Sequence, residues 1–182
     1  MEPGELFTGG APLEVDLGCG DGSFLLAMAR EFPGRHFLGV ERLLGRVRKV
    51  CRKADRDGLG NVRVLRLDAR YCVEWLLPPG SVTRLHLLFP DPWPKARHHK
   101  RRLVNQGFLT ALAAVLAPGG EFLFKTDHAE YFEWTAGELA ACPHFTTCAW
   151  PDDAFFYPRT DFERQWRAAG RGIFKLRAVR AD

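Results

Sequence analysis

The sequence predicts a doubly wound, mostly parallel α/β sheet with helices on both faces. Three observations lead there. Short apolar runs alternate with helical patterns at least five times along the 182 residues, as in successive βαβ units. Breaks rich in Pro and Gly (Pro33-Gly34, Pro78-Pro79-Gly80, Pro118-Gly119-Gly120) punctuate the alternation. An acid closes four of the predicted strands: Glu41, Asp68, Asp91 and Asp127. Ligands of such sheets bind outside the carboxyl ends of the strands, so these acids are expected to line one crevice.

In chain order, residues 1–11 form a short Gly-rich lead-in to a single domain covering 1–182. Leu13–Leu17 is the first strand and runs into Gly18-Cys19-Gly20-Asp21-Gly22. A helix follows from Ser23 to Phe32, then a buried strand from His36 to Val40 ending at Glu41. A second helix, with exposed arginines and lysines, runs from Leu43 to about Arg56. Val62–Leu67 is the third strand, and a short helix covers Ala69–Leu77. Val82–Phe89 is the fourth strand. Beyond it comes Pro90-Asp91-Pro92-Trp93-Pro94, and then a basic segment that opens a helix running to Leu116. Glu121–Thr126, a helix over Ala129–Ala141, and strands Phe145–Trp150 and Gly172–Val179 complete the chain. A loop carrying Thr160-Asp161-Phe162-Glu163 joins the last two strands.

Bulk properties narrow the function classes. Hydrophobic residues are 46% and charged residues 26%, ordinary for a soluble globular domain. Net charge is +4, so the distribution of charge says more than its sum. Cys19, Cys51, Cys72, Cys142 and Cys148 are odd in number and form no C-x-x-C pair. They are expected as free thiols in a reducing compartment, without disulfides or a zinc site. No apolar run approaches the ~18 residues of a membrane span, and no signal-type N-terminus is present. The expected setting is the cytoplasm, with no membrane and no metal. The oligomeric state stays open between monomer and homodimer.

The turn after the first strand is a nucleotide-binding turn, because Gly18, Gly20 and Gly22 allow positive φ and close approach to a ligand. It is not a dinucleotide fingerprint, since Ser23 stands where the third glycine would be. No Gly-Lys-[Ser/Thr] follows, which excludes a P-loop. Asp16, two residues before Gly18, suits a ligand with a positive amino group and sulfonium, and suits a pyrophosphate poorly. Glu41 is placed to accept ribose hydroxyls and Asp68 an adenine amino group. The ligand indicated is S-adenosylmethionine. Glu14 faces as Asp16 does but lies deeper, which favours Asp16. Cys19 is read as a small filler residue.

The 90–94 loop is stiff, since proline fixes φ and removes backbone donors. Lys95, Arg97, Lys100, Arg101 and Arg102, with His98 and His99, form a single-sign cluster. Cations at a helix N-terminus oppose its dipole, so their placement beside a ligand crevice points to a polyanion. His98-His99 is a poor metal pair, because adjacent side chains diverge and no third ligand is evident. Trp93 is either core packing or a platform on which a base stacks beside Asp91, whose carboxylate matches the paired N1–H and N2 donors of guanine.

Val15-Asp16-Leu17-Gly18-Cys19-Gly20-Asp21-Gly22 resembles the first motif of class I methyltransferases, a Rossmann-like fold. Phe89-Pro90-Asp91-Pro92-Trp93, Lys95-Ala96-Arg97-His98 and Lys100-Arg101-Arg102 resemble the signature of the bacterial tRNA (guanine-N7)-methyltransferase family. Phe37–Glu41, Lys125-Thr126-Asp127 and Thr160–Glu163 agree with it. The resemblance implies methyl transfer from S-adenosylmethionine to N7 of guanine 46 in the tRNA variable loop. It implies Asp91 as the catalytic acid, and Asp16, Gly18, Gly20, Glu41, Asp68 and Asp91 around the cofactor. Lys95, Asp127, Thr160, Asp161, Phe162 and Glu163 would contact the guanine. Arg97, His98, His99, Lys100, Arg101 and Arg102 would contact the RNA. The chain departs from the family in having Asp16 where many members carry Glu, Pro94 where Lys or His is common, and an acid at Asp161. A shorter N-terminal arm than in some members bears on RNA contacts. Two rivals remain at this stage: a class I methyltransferase for another substrate, and a non-catalytic RNA-binding subunit of the same fold.

Overall fold

The structure is a computed structural model and describes residues 6–181. Seven strands form one sheet in the order β3-β2-β1-β4-β5-β7-β6. They are β1 (Leu13–Leu17), β2 (His36–Glu41), β3 (Val62–Arg66), β4 (Val82–Leu88), β5 (Leu116–Thr126), β6 (Phe145–Cys148) and β7 (Phe174–Arg180). The first five pair in parallel, whereas β7 runs antiparallel to both β5 and β6. Chain order departs in opposite directions from β1, toward β2 and β3 on one side and β4 and β5 on the other. The carboxyl ends of β1 and β4 therefore flank a topological switch point, where a crevice opens.

Helices α1 (Ser23–Glu31) and α2 (Leu44–Arg56) cover one face of the sheet. They bury Phe24, Leu25, Met28 and Val50 against Phe37 and Val62. The other face is covered by α3 (Ala69–Tyr71), which runs on as a π-helical turn over Cys72–Leu76, and by α4 (Gln106–Val115) and α5 (Ala129–Ala140). There Phe108, Leu109, Leu112, Tyr131 and Leu139 pack on Val15, Leu38, Leu85 and Phe122. The period-2 alternation of β1 divides these cores. Leu13, Val15 and Leu17 enter the second, leaving Glu14 and Asp16 on the α1 side.

Four expectations need correction. The basic segment does not open the helix that follows. Ala96–Arg101 is a separate 3₁₀ turn, and α4 begins at Gln106, where the Asn105 side chain caps Phe108 N at 3.0 Å. The 95–102 cations therefore do not sit at the start of α4 and do not oppose its dipole. The segment after Thr160 is not a loop but a helix, α6 (Asp161–Ala168), with the Thr160 hydroxyl accepting from Glu163 N at 2.9 Å. Thr160-x-x-Glu163 is half a capping box, a start signal visible in the sequence. The last two strands are shifted, β6 stopping at Cys148 and β7 starting at Phe174. Pro118-Gly119-Gly120 does not precede β5 but lies inside it. The ladder slips there between Val82 and Arg84 of β4, and Gly119 takes φ 68°.

Candidate active site

The turn after β1 is tied down by backbone groups. Gly18 N and Cys19 N both donate to Val40 O, at 2.8 and 3.0 Å, which fastens it to β2. Gly20 N donates to Glu41 Oε2 at 3.2 Å, and Leu43 N donates to Glu41 Oε1 at 2.8 Å. One carboxylate thus pins both the glycine turn and the entry to α2, and keeps a free lone pair on each oxygen for a ligand. Gly18, Gly20 and Gly22 take φ of 77°, 59° and 79°. Gly22 has a steric reason as well: a Cβ there would lie 2.8 Å from Val50 Cγ1. Gly39, beside the turn on β2, would meet Leu25 at 2.7 Å and Cys19 at 2.8 Å. Cys19 is buried, and burial together with Asp16 and Glu41 drives its thiol pKa far up, so it packs and does not react.

Asp16 is 3% exposed. Burial first, and then the neighbouring Glu41 carboxylate, push its pKa up to about 7. Two adjacent buried acids with few cations nearby form a site that gains from a positive ligand.

Two clefts meet over the switch point. The larger, about 650 Å³, is lined by Glu41, Leu43, Asp68, Asp91, Trp93 and Arg101 among others. The smaller, about 390 Å³, is lined by Asp16, Gly20, Phe24, Thr160, Asp161 and Phe162. Gly18, Phe89 and Asp91 belong to both. A glycine turn, strand-end acids and an apolar wall at Leu43 and Leu67 fit a nucleoside bearing a cationic tail. Asp68 also caps α3, accepting from Arg70 N and Tyr71 N.

Asp91 is exposed between two residues in unusual backbone states. Phe89 and Trp93 take φ of 53° and 45°, each costing about 1–3 kcal/mol for a bulky residue. The surroundings enforce them. Phe89 N donates to Lys125 O at 2.8 Å, and Arg102 Nε donates to Pro92 O at 3.0 Å. Trp93 is not core. It lies at the cleft wall with the Arg101 guanidinium 4.9 Å from its ring centre.

Arg102 is therefore a correction. It is 1% exposed, its guanidinium lies 5.2 and 5.1 Å from the Tyr131 and Trp134 rings, and it pairs with Glu130 at 3.0 Å. It clamps the loop from below and is closed to RNA. Lys95, Arg97, Lys100 and Arg101 are exposed and pair with no carboxylate among the described residues, so the cluster survives without it. His98 stands edge-on to Trp93, and His99 lies 3.2 Å from Glu130.

Glu163 is a second correction. It is 1% exposed and bonds Lys125 at 2.9 Å and Arg167 at 3.0 Å, so it anchors α6 to β5 and does not face a cleft. Asp127 lines neither cleft and pairs with Arg171 at 3.0 Å.

Sequence reasoning missed the polar layer beneath the site. Glu14 Oε2 lies 2.9 Å from His86 Nε2, His86 Nδ1 lies 2.8 Å from the Tyr157 hydroxyl, and Glu14 also meets Arg35 at 2.6 Å. Burial alone would raise the Glu14 carboxyl, but His86, Arg35 and Arg84 bring it below its usual range. Burial holds His86 low and neutral. The ionised Glu14 accepts from His86 Nε2–H, so Nδ1 accepts from the Tyr157 hydroxyl. This chain holds the segment before Thr160 against β1 and β4. Its signals were a lone histidine inside the apolar run Leu85–Leu88 and a lone lysine, Lys125, inside an apolar strand.

A Rossmann-like sheet with a crevice at its switch point and acids at its strand ends is the architecture of class I methyltransferases. A family model described as "Putative methyltransferase" matches residues 10–176. A tRNA (guanine-N(7)-)-methyltransferase of Treponema pallidum (strain Nichols) is 39% identical over 172 residues, covering 94% of this chain and 68% of its own length. One of Leifsonia xyli subsp. xyli (strain CTCB07), with the same name, is 42% identical over 177 residues, with 94% and 77% covered. The chain belongs to the tRNA (guanine-N7)-methyltransferase family. The solved structure of the 16S rRNA methyltransferase KamB superimposes with a TM-score of 0.71 at 20% identity, over 98% of this chain and 92% of that one, a likeness of fold. Among the described residues no helix is long and apolar enough to cross a membrane, and no group of three or more His, Cys, Asp or Glu could hold a metal ion.

Proposed function

We propose that this protein methylates N7 of guanine in tRNA, with S-adenosylmethionine as the donor and guanine 46 of the variable loop as the target. The observation that carries this is Asp91. It is an exposed carboxylate held between two strained residues, on the wall common to both clefts, beside a rim of unpaired cations. The names of the relatives support the same reading.

When bound, S-adenosylmethionine would supply a sulfonium methyl, which passes in line to the N7 lone pair of guanine as its bond to sulfur breaks and the neutral thioether leaves, so no residue has to remove a proton first. Asp16 holds the donor's amino end, and Glu41 offers its free lone pairs to the ribose. Asp91 accepts from guanine N1–H and the N2 amino group, which aims N7 toward the donor. Its charge also balances the positive charge arriving on the ring, strengthened by the fixed geometry. Thr160, Asp161 and Phe162 wall the second cleft against the base. Arg97, Lys100 and Arg101 hold phosphates and position the RNA without reading it, and Lys95, expected at the guanine, lines neither cleft and is grouped with them.

The test is incubation with labelled methyl donor and tRNA, followed by digestion and location of the label. 7-Methylguanosine from the variable loop is expected. Label on another atom or base overturns the substrate reading, and absence of label with intact donor binding overturns the enzymatic one.

A further inference from the structure

Helix α2 carries a charge pattern that neither the core nor the donor site explains. Its 13 residues include Arg46, Arg48, Lys49, Arg52, Lys53 and Arg56 against a single acid, Asp55. Val47, Val50 and Ala54 are its buried stripe, so the cations occupy the outward face. Arg48 and Arg52 lie one turn apart, and Lys49–Lys53 and Arg52–Arg56 repeat that spacing. Like charges at i,i+4 destabilise a helix. The first turn holds no acid and Leu43 supplies no side-chain cap, so the cations there also oppose the dipole. Local ion pairs relieve only part of this. Lys49 and Lys53 share Asp21, Arg46 lies 3.7 Å from Glu41, and Arg56 pairs with Asp57. Arg42, Arg48 and Arg52 pair with no carboxylate among the described residues.

The position of the helix gives the pattern a use. Arg42 and Arg46 line the larger cleft from the α2 side, and Trp93 and Arg101 line it from the other. From Arg46 to Arg52 the basic face extends about 9 Å along the axis at 1.5 Å per residue, with Arg46 at its cleft edge and Arg48 and Arg52 further round the helix, away from the cleft. Its exposed large apolar side chains, Leu43 and Leu44, are confined to its start, and from Arg48 to Arg56 it exposes none, whereas a helix that lies on a membrane presents an apolar face along its length.

We propose that the outward face of α2, centred on Arg48 and Arg52, is a second RNA phosphate-binding surface, opposite the 95–101 segment, so that the substrate spans the crevice between two basic walls. This rests on the tRNA reading above. The first wall delivers the target base to Asp91, and the second holds backbone further along the same RNA.

The experiment compares the parent with Arg48→Gln/Arg52→Gln and with Arg48→Lys/Arg52→Lys. tRNA binding is measured over roughly 50 to 200 mM salt, where each lost phosphate contact lowers the slope of log K against log salt by about 0.7–0.9. The glutamine pair is expected to weaken binding about tenfold at the low-salt end and flatten the slope by about 1.5. Donor affinity and kcat at saturating tRNA should stay parental, and the lysine pair should keep most of the binding. Unchanged affinity and slope in the glutamine pair overturn the proposal while leaving the tRNA reading intact. Loss of binding to anionic phosphatidylserine vesicles, with tRNA binding unchanged, overturns it in favour of a membrane surface. A parent that does not bind tRNA removes both this inference and the function on which it rests.

Discussion

The two walls of the crevice are built in opposite ways. On the side proposed for the donor, backbone N–H groups and a buried carboxylate tie the turn down, and two glycines pack closely on neighbouring side chains. Gly22 lies against Val50, Gly39 against Leu25 and Cys19, and Glu41 holds two backbone groups at once. On the side proposed for the RNA, Lys95, Arg97, Lys100 and Arg101 are exposed cations without carboxylate partners among the described residues, on or beside a short 3₁₀ turn. A small ligand needs preorganised contacts within a fraction of an ångström. A polyanion needs only charge within reach, and several cations can share that work. Asp91 joins the two: an exposed side chain on a backbone as constrained as the donor wall.

That contrast orders the consequences of substitution. Asp91→Ala should lower kcat by about 10³-fold or more, the scale of removing an electrostatic contact made to the reacting group. Donor affinity by calorimetry should change only modestly. Near-parental methylation of tRNA would show that the constrained loop serves packing and not chemistry.

Gly22→Ala should come next. The added methyl meets Val50 at a positive φ, and overpacking of this kind costs about 2 kcal/mol. Thermal unfolding and donor binding should both suffer, while the salt slope of RNA binding should not. An unchanged Tm would mean that the donor wall is looser than its contacts.

Asp16 sharpens the comparison through pH. Its folded pKa, near 7, is raised, so between the unfolded value of about 4 and 7 the folded chain holds a proton that the unfolded chain has lost. Stability contributed at this site therefore falls as pH rises through that window. A cationic donor favours the ionised form, so its affinity should rise about tenfold from pH 6 to 7.5 with release of a proton. Asp16→Asn should flatten that dependence. A parental pH profile in the variant would show that Asp16 is not the titrating group.

Arg97→Gln should have the smallest effect: binding weakened about threefold, the salt slope reduced by about one, and kcat at saturation retained. A loss as large as that of Asp91→Ala would abolish the distinction between the walls.

Much of the wall proposed for the donor was legible as structure because its signals are local. The glycine spacing, the acids at strand ends and the proline-bounded Asp91 can each be placed from a few neighbouring residues. The RNA wall was legible as a charge cluster but misplaced in detail. Arg102 looks like its neighbours Lys100 and Arg101 in sequence, yet it leaves solvent because Tyr131 and Trp134, about 30 residues away, offer two aromatic faces and Glu130 a carboxylate. Glu163 reads as a substrate acid in its motif, yet it is withdrawn by Lys125, 38 residues earlier. The α4 and α6 starts were within reach, since Asn105 and Thr160 are both capping residues.

The sequence by itself determined the alternating α/β architecture, the glycine turn and the strand-end acids, because period, turn chemistry and strand ends are set by short-range backbone physics. Only the tertiary structure decided which charges remain free. Burial is fixed by what arrives from elsewhere in the chain, and a cation is available to RNA only if no distant ring or carboxylate has claimed it. The Glu14–His86–Tyr157 chain, which holds the segment before α6 onto the sheet, exists for the same reason. Its three members come from β1, β4 and the loop before α6, and only the sheet order brings them together.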